Sequence, residues 1–384
     1  MNVKTFIKKY TMVIALVVVF IFFTILTDGK LIFPQNMSNL LLQNAYVLVM
    51  ACGMLLCILT GGNVDLSVGS TLCLSAALAA KIMDSGKSPF LAILVSLAVS
   101  VVIGIWQGWL IGYIHIPPFI CTLAGMFLFR GLARVVLDSR TISVMNDQFN
   151  NLFTSYIQIG SDTKGDCKSA IFVGIAVALA LLLFTAFGVV KKKKQGYGGS
   201  SAFASIAKIA VIDVLIVIYA IKLSQYKGIP VMLIWILLVV LVFAFFTSST
   251  VFGRYFYAVG GNEKATKLSG IDPRKVYFWA YFLMSFLAGF SGLLVASRIG
   301  SVDGNMGNSY EMDAIASCFI GGASAYGGSG TVPGVMVGAI LLGVINQGMS
   351  IYGLPDQWQY VVKGAVLLVA VIFDVVSNHK TGKS

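Results

Sequence analysis

The sequence predicts an all-α fold: a polytopic transmembrane helical bundle in which some helices are discontinuous or re-entrant. Three observations carry that expectation. Of the 384 residues, 58% are hydrophobic and only 11% charged, whereas soluble domains carry about 25% charged residues. A mean hydropathy of +0.90 excludes a disordered chain, which needs low hydrophobicity and high charge. Apolar runs also recur along the chain, most of them long enough to cross the ~30 Å hydrocarbon core at 1.5 Å per helical residue.

The first run, Tyr10 to Leu26, follows Lys4, Lys8 and Lys9. A basic start before an apolar stretch also describes a signal peptide. This run is long for one, however, and Thr27-Asp28-Gly29-Lys30 offers no small-x-small cleavage site. It reads as a retained first span. Further runs cover about 39–60, 64–82, 90–113, 117–137, 169–190, 204–224, 230–247, 276–297, 311–323, 332–352 and 358–376. The 311–323 run is too short to fill the hydrocarbon core by itself and reads as a half-helix or re-entrant piece within its crossing, which membranes tolerate where protein or a water-filled cavity surrounds it. Gly104, Gly108 and Gly112 share one helix face, and Gly334 and Gly338 repeat the spacing. Small residues four apart let helix backbones approach closely in lipid.

Charge orders these spans. The net charge is +12, and the bases cluster in loops between apolar runs. The positive-inside rule accounts for that clustering without a nucleic-acid partner. Residues 254–275 hold five bases against two acids, Lys191 to Lys194 form an unbroken block, and residues 138–168 hold three bases against four acids. With the basic segments inside and the acidic loop outside, about twelve crossings result, with both termini cytoplasmic. Arg130 and Arg134, near the outer end of their run, do not fit that arrangement. The six cysteines have no C-x-x-C spacing, so neither a metal site nor a disulfide framework is expected.

The motif inventory argues against an enzyme. Only His115 and His379 are available, and no phosphate-binding G-x-x-x-x-G-K-[ST], H-E-x-x-H or G-x-S-x-G is present. Any nucleotide hydrolysis belongs to another chain. Two polar constellations interrupt the apolar pattern. In Gly61-Gly62-Asn63-Val64-Asp65-Leu66-Ser67 the glycines permit a break, after which Asp65 or Ser67 either caps a new helix or lines a pathway. In Ser309-Tyr310-Glu311-Met312-Asp313, Glu311 and Asp313 open a short helix whose dipole favours them. A glycine-rich exit, Gly321 to Gly330, follows. Broken helices of this kind point to gating or a pathway. The polar segment from Gly253 to Ile271 is too short and polar to cross. It is either an interfacial helix on anionic lipid or a docking helix for a cytoplasmic partner.

Four stretches taken in order, Gly61–Ser70, Gly253-Arg-x-x-Tyr-Ala-x-Gly-Gly-Asn-Glu263, Leu268–Ile271 and Glu311-x-Asp-Ala-Ile-Ala316, carry a resemblance over nearly the whole chain. The sequence resembles binding-protein-dependent ABC permeases for monosaccharides, of the ribose, xylose and multiple-sugar branch. The resemblance implies a single permease domain over 1–384 in the bacterial cytoplasmic membrane. It implies two permease copies, two ABC ATPase subunits that bind the ATP, and an extracellular sugar-binding protein, with no cofactor or metal of the permease's own. It also implies that Asn262, Glu263, Lys264, Ala265, Thr266, Lys267, Leu268, Ser269 and Gly270, within the cytoplasmic segment 253–275, dock on the ATPase. Lys264 departs from the usual Glu-Ala-Ala…Gly pattern, and the glycine lies one residue further on.

Ribose-type permeases lack the helix pair at 169–225, whereas xylose and multiple-monosaccharide permeases carry one. That tilts the substrate towards xylose or a broader set of sugars. Gln43, Asn44, Asn63, Asn346, Gln347 and Trp358 are candidates to line the sugar path with Asp65 and Ser67, while Glu311 and Asp313 are candidates for gating. The alternative is an ion-coupled secondary carrier in which Asp65, Glu311 or Asp313 titrates.

Overall fold

The computed structural model describes residues 3–159, 162–163, 165–194 and 200–379. The chain runs α1 (Val3–Leu26), α2 (Pro34–Leu59), α3 (Val68–Asp84), α4 (Pro89–Gly112), α5 (Pro118–Val136), α6 (Asp147–Phe153), α7 (Lys168–Lys194) and α8 (Ser200–Ser224). It continues through α9 (Val231–Ser249), α10 (Val251–Gly261), α11 (Glu263–Leu268), α12 (Pro273–Ile299), α13 (Tyr310–Ile320), α14 (Val332–Tyr352) and α15 (Asp356–His379). Each expected apolar run contains a helix. Among the described residues, seven helices are long and apolar enough to cross a membrane: α2, α4, α5, α7, α9, α12 and α14. The side chains of Lys4, Lys8, Lys9, Lys191–Lys194 and His379, and residues 195–199, lie outside the described residues.

Helix ends follow local chemistry. Proline occupies the first turn of α2, α4, α5, α12 and α14, where its missing N–H costs nothing. Two breaks are longer than the apolar pattern suggests. The 64–82 run starts its helix only at Val68, and the 311–323 run ends its helix at Ile320.

The centre of the molecule is α2 with α12. Of a span-length window, 83% is buried in α2 and 67% in α12, against 28% in α5 and in α9. The latter pair present side chains such as Phe127 and Leu241 outward, as hydrocarbon-facing helices do. Along α12 lie α4, α2 and α3. The close approach of α4 explains its glycine stripe. A Cβ on Gly104, Gly108 or Gly112 would stand 2.9, 2.7 or 2.6 Å from the carbonyl oxygens of Phe282, Phe278 and Arg274. On α14, Gly334 and Gly338 face the Gly321 and Ser317 carbonyls in the same way.

At the end of α12 away from α11, Ile142–Ser143 pairs antiparallel with Ser301–Val302, and Tyr156–Ile157 pairs with Ile229–Pro230. Here the two arginines that did not fit the charge pattern find their partners. Arg130 donates to the carbonyls of Gly304 and Met306, and Arg134 Nη2 donates to Asn305 Oδ1. They hold the loop before α13. The α7–α8 pair packs on itself, with Gly174 against Ala220, and reaches α2 through the Tyr219 hydroxyl donating to the Met37 carbonyl. The six cysteines are free and buried.

Candidate functional site

The break between α2 and α3 begins at Thr60. Gly61 and Gly62 take φ of 118° and 75°, the left-handed region open to glycine. Asn63 Nδ2 donates back to the Thr60 carbonyl. Asp65 is fully buried, and its Oδ1 accepts from both the Ser67 amide at 2.8 Å and the Ser67 hydroxyl at 2.7 Å. That is an Asx turn leading into α3. Ser67 occupies the N-cap position, but its side chain makes no cap hydrogen bond. Instead a buried chain of donors runs from the Ser285 hydroxyl to Gln107 Oε1, from Gln107 Nε2 to Ser67 Oγ, and from Ser67 to Asp65. Asp65 Oδ2 and the Tyr281 hydroxyl have no partner among the described residues. Gln107 and Ser285 are polar residues inside largely apolar runs, and nothing in that pattern names their partners.

The second constellation is an ion-pair cluster. Ser309, at φ 64°, turns the chain into α13, whose first turn carries Glu311 and Asp313. Asp313 Oδ2 accepts from the Tyr46 hydroxyl at 2.6 Å and from Lys363 Nζ at 3.0 Å. Tyr46 stacks on Tyr310 with ring centroids 3.8 Å apart. The Asp313 side chain is 2% exposed and that of Lys363 22%, so the carboxylate is desolvated and its charge is met by an ammonium and a hydroxyl. Glu311 lies against the start of α3, where a Cβ on Gly69 would come within 2.6 Å of Glu311 Oε2. Lys363 had a readable signal, being the one base in the 358–376 run. Tyr46 had none.

The other lining candidates separate. Asn44 Nδ2 donates to the Ala339 carbonyl and Gln347 Nε2 to the Asn36 carbonyl, each at 2.7 Å. Both stitch α2 to α14. Gln43 and Asn346 are half-buried, with Asn346 Oδ1 unpartnered among the described residues. Trp358 stands exposed on α15.

The polar segment after α10 is built for rigidity. Asn262 Oδ1 accepts from the Ala265 amide at 2.9 Å, an N-cap. At the other end the Ile271 amide bonds to the Thr266 carbonyl and the Gly270 amide to that of Lys267. With Gly270 at φ 86° this is a Schellman closure. Thr266 is buried, its hydroxyl donating to the Ala258 and Asn262 carbonyls. Asn262, Glu263, Lys264, Ala265, Lys267, Leu268, Ser269 and Gly270 are all exposed. Leu268, at 89%, is an apolar side chain without cover. A cleft of about 410 Å³ separates this helix from the α4–α5 turn, with Asn63, His115, Glu263, Lys267, Arg274 and Tyr277 around it. No cluster of three or more metal-ligating side chains occurs among the described residues.

Comparison with known proteins adds an independent line. The family model described as the permease component of branched-chain amino acid transport systems matches residues 36–371. The chain is 33% identical over 379 residues to the xylose transport system permease protein XylH of Escherichia coli (strain K12), covering 97% of this chain and 93% of that one. It is 34% identical over 375 residues to XylH of Haemophilus influenzae, covering 97% of each. Ribose import permease protein RbsC of Bacillus subtilis is 33% identical over 341 residues, covering 89% of this chain and 85% of that protein. No solved structure matches significantly.

Proposed function

This chain belongs to the permease-component family of branched-chain amino acid transport systems, in the branch of the xylose and ribose permeases, and from that premise we propose that it is the membrane-spanning subunit of an ATP-driven monosaccharide importer, with xylose the foremost substrate. It is a multi-pass protein of the cytoplasmic membrane. A second copy completes the pathway, an extracellular binding protein delivers sugar, and ATPase subunits bind and hydrolyse ATP in the cytoplasm. With α10 and α11 on the cytoplasmic side, the chain makes about twelve crossings and both termini are cytoplasmic.

The observation that carries this reading is α11. A free six-residue helix is too short to persist in water, yet this one is capped at both ends, anchored by Thr266 and exposed on every other residue. Such a helix is preorganised to be bound, and association loses less free energy when the binding element is already ordered. The cleft beside it gives a partner a recess with charges of both signs. Support for xylose comes from relatives that align over 379 and 375 residues and so take in the α7–α8 region.

The ion-coupled reading has three candidate acids, two of them Asp65 and Glu311. Its third, Asp313, is already bonded to Lys363 and Tyr46. A mild-detergent pull-down from native membranes tests the main reading. An ATPase of Walker type should accompany the chain near stoichiometrically and be lost on Glu263→Arg or Gly270→Val. Sugar uptake that an uncoupler abolishes, from a chain that retains no ATPase after crosslinking, would replace the importer with the carrier.

A further inference from the structure

Three glycine pairs far apart in the sequence meet at one place. Gly61-Gly62 follows α2, Gly260-Gly261 ends α10, and Gly327-Gly328 lies between α13 and α14. A Cβ on Gly260 would overlap the Leu59 carbonyl oxygen and stand 2.6 Å from the Gly328 nitrogen. On Gly327 it would stand 2.5 Å from the Gly61 backbone, on Gly328 2.9 Å from the Gly261 nitrogen, and on Gly62 it would overlap the Ala325 carbonyl. Every one of these neighbours is backbone, so none can swing aside as a flexible side chain would.

Hydrogen bonds close the same junction. The Gly328 amide donates to the Leu59 carbonyl at 3.0 Å. The Tyr277 hydroxyl, on the first turns of α12, lies 3.0 Å from both the Thr60 carbonyl and Glu263 Oε2, sharing one proton between the end of α2 and the start of α11. From α10, the Tyr257 hydroxyl donates to the Gly330 carbonyl at 3.1 Å. Packed interiors shift between discrete arrangements rather than deforming continuously. A junction of main chain on main chain therefore moves as one body.

We infer that Gly62, Gly260, Gly327 and Gly328, tied by Tyr277 and Tyr257, are positioning residues through which α11 sets both intramembrane breaks, 61–67 and 321–331, together. The inference rests on the reading of α11 as the docking helix. Neither break is then an independent gate, because a displacement of α11 reaches the Asp65 turn and the end of α13 in the same step.

The test is made on the complete importer in proteoliposomes, with hydrolysis and sugar uptake measured together. Tyr257→Phe keeps the ring and removes the hydroxyl that holds the Gly330 carbonyl. It should retain its ATPase subunit and basal hydrolysis, while sugar moved per ATP falls about fivefold or more, the lower end of a typical coupling factor. Gly260→Ala should fall further. Unchanged coupling in Tyr277→Phe and Tyr257→Phe overturns the inference, and so does a loss of uptake that merely tracks loss of bound ATPase. Amide exchange on the chain alone keeps this separate from the fate of the importer reading. Tyr277→Phe should raise exchange at 59–63 and 325–330 together, and a rise confined to one of them sinks the junction even if an ATPase docks.

Discussion

Asp313 and Lys363 show what a single intramembrane charge requires. Removing one partner of a buried pair leaves the other uncompensated, at a cost of roughly 3–5 kcal/mol. The partial exposure of Lys363 puts this pair at the lower end. Asp313→Asn and Lys363→Met should therefore each lower the unfolding midpoint in detergent, while the double variant recovers much of the loss. Strictly additive losses would mean that the two groups do not interact. Asp213, inside α8, is the opposite case: buried, with neither oxygen partnered among the described residues. An unsatisfied buried polar group costs about 1–3 kcal/mol. Asp213→Leu should raise the thermal midpoint, and a drop instead would reveal a partner that the carboxylate serves.

Between elements, the α4–α12 contact is set by absent side chains. Gly108→Val places atoms where the Phe278 carbonyl already stands, and overpacking of that kind costs about 1–3 kcal/mol. Gly131 on α5 provides the control, since beyond its chain neighbours and its own helix backbone no atom lies within 4 Å of a Cβ built there. Gly131→Ala should be neutral or stabilising by up to ~1 kcal/mol through helix propensity. Equal losses in the two variants, read as unfolding midpoints in one detergent, would remove close packing as the explanation. The Gly104/Gly108/Gly112 stripe was legible in the sequence as a contact face, because spacing by four places residues on one side of a helix. Its partner was not, since nothing in a glycine names the carbonyl it will meet.

For the whole molecule, the importer reading fixes a side for every loop. The native cysteines are all buried, which leaves a low background for labelling. Ser269→Cys, on the exposed docking helix, should react with an impermeant thiol reagent only from the cytoplasm. Gln158→Cys, exposed in the loop before α7, should react only from outside, and labelling of both from one side would overturn the crossing order. By itself the sequence determined that this is a helical membrane protein and where its long helices lie, but not the short α6 or the full length of the breaks before Val68 and after Ile320. Hydrocarbon forces backbone groups to bond within their own segment, so composition suffices to mark each long apolar helix. Only the tertiary structure decided which breaks meet. Tyr46 and Asp313 are 267 positions apart, and three glycine pairs converge on one junction. Contacts between bare backbones leave no side chain to specify them, so only the folded packing of the helices brings them together.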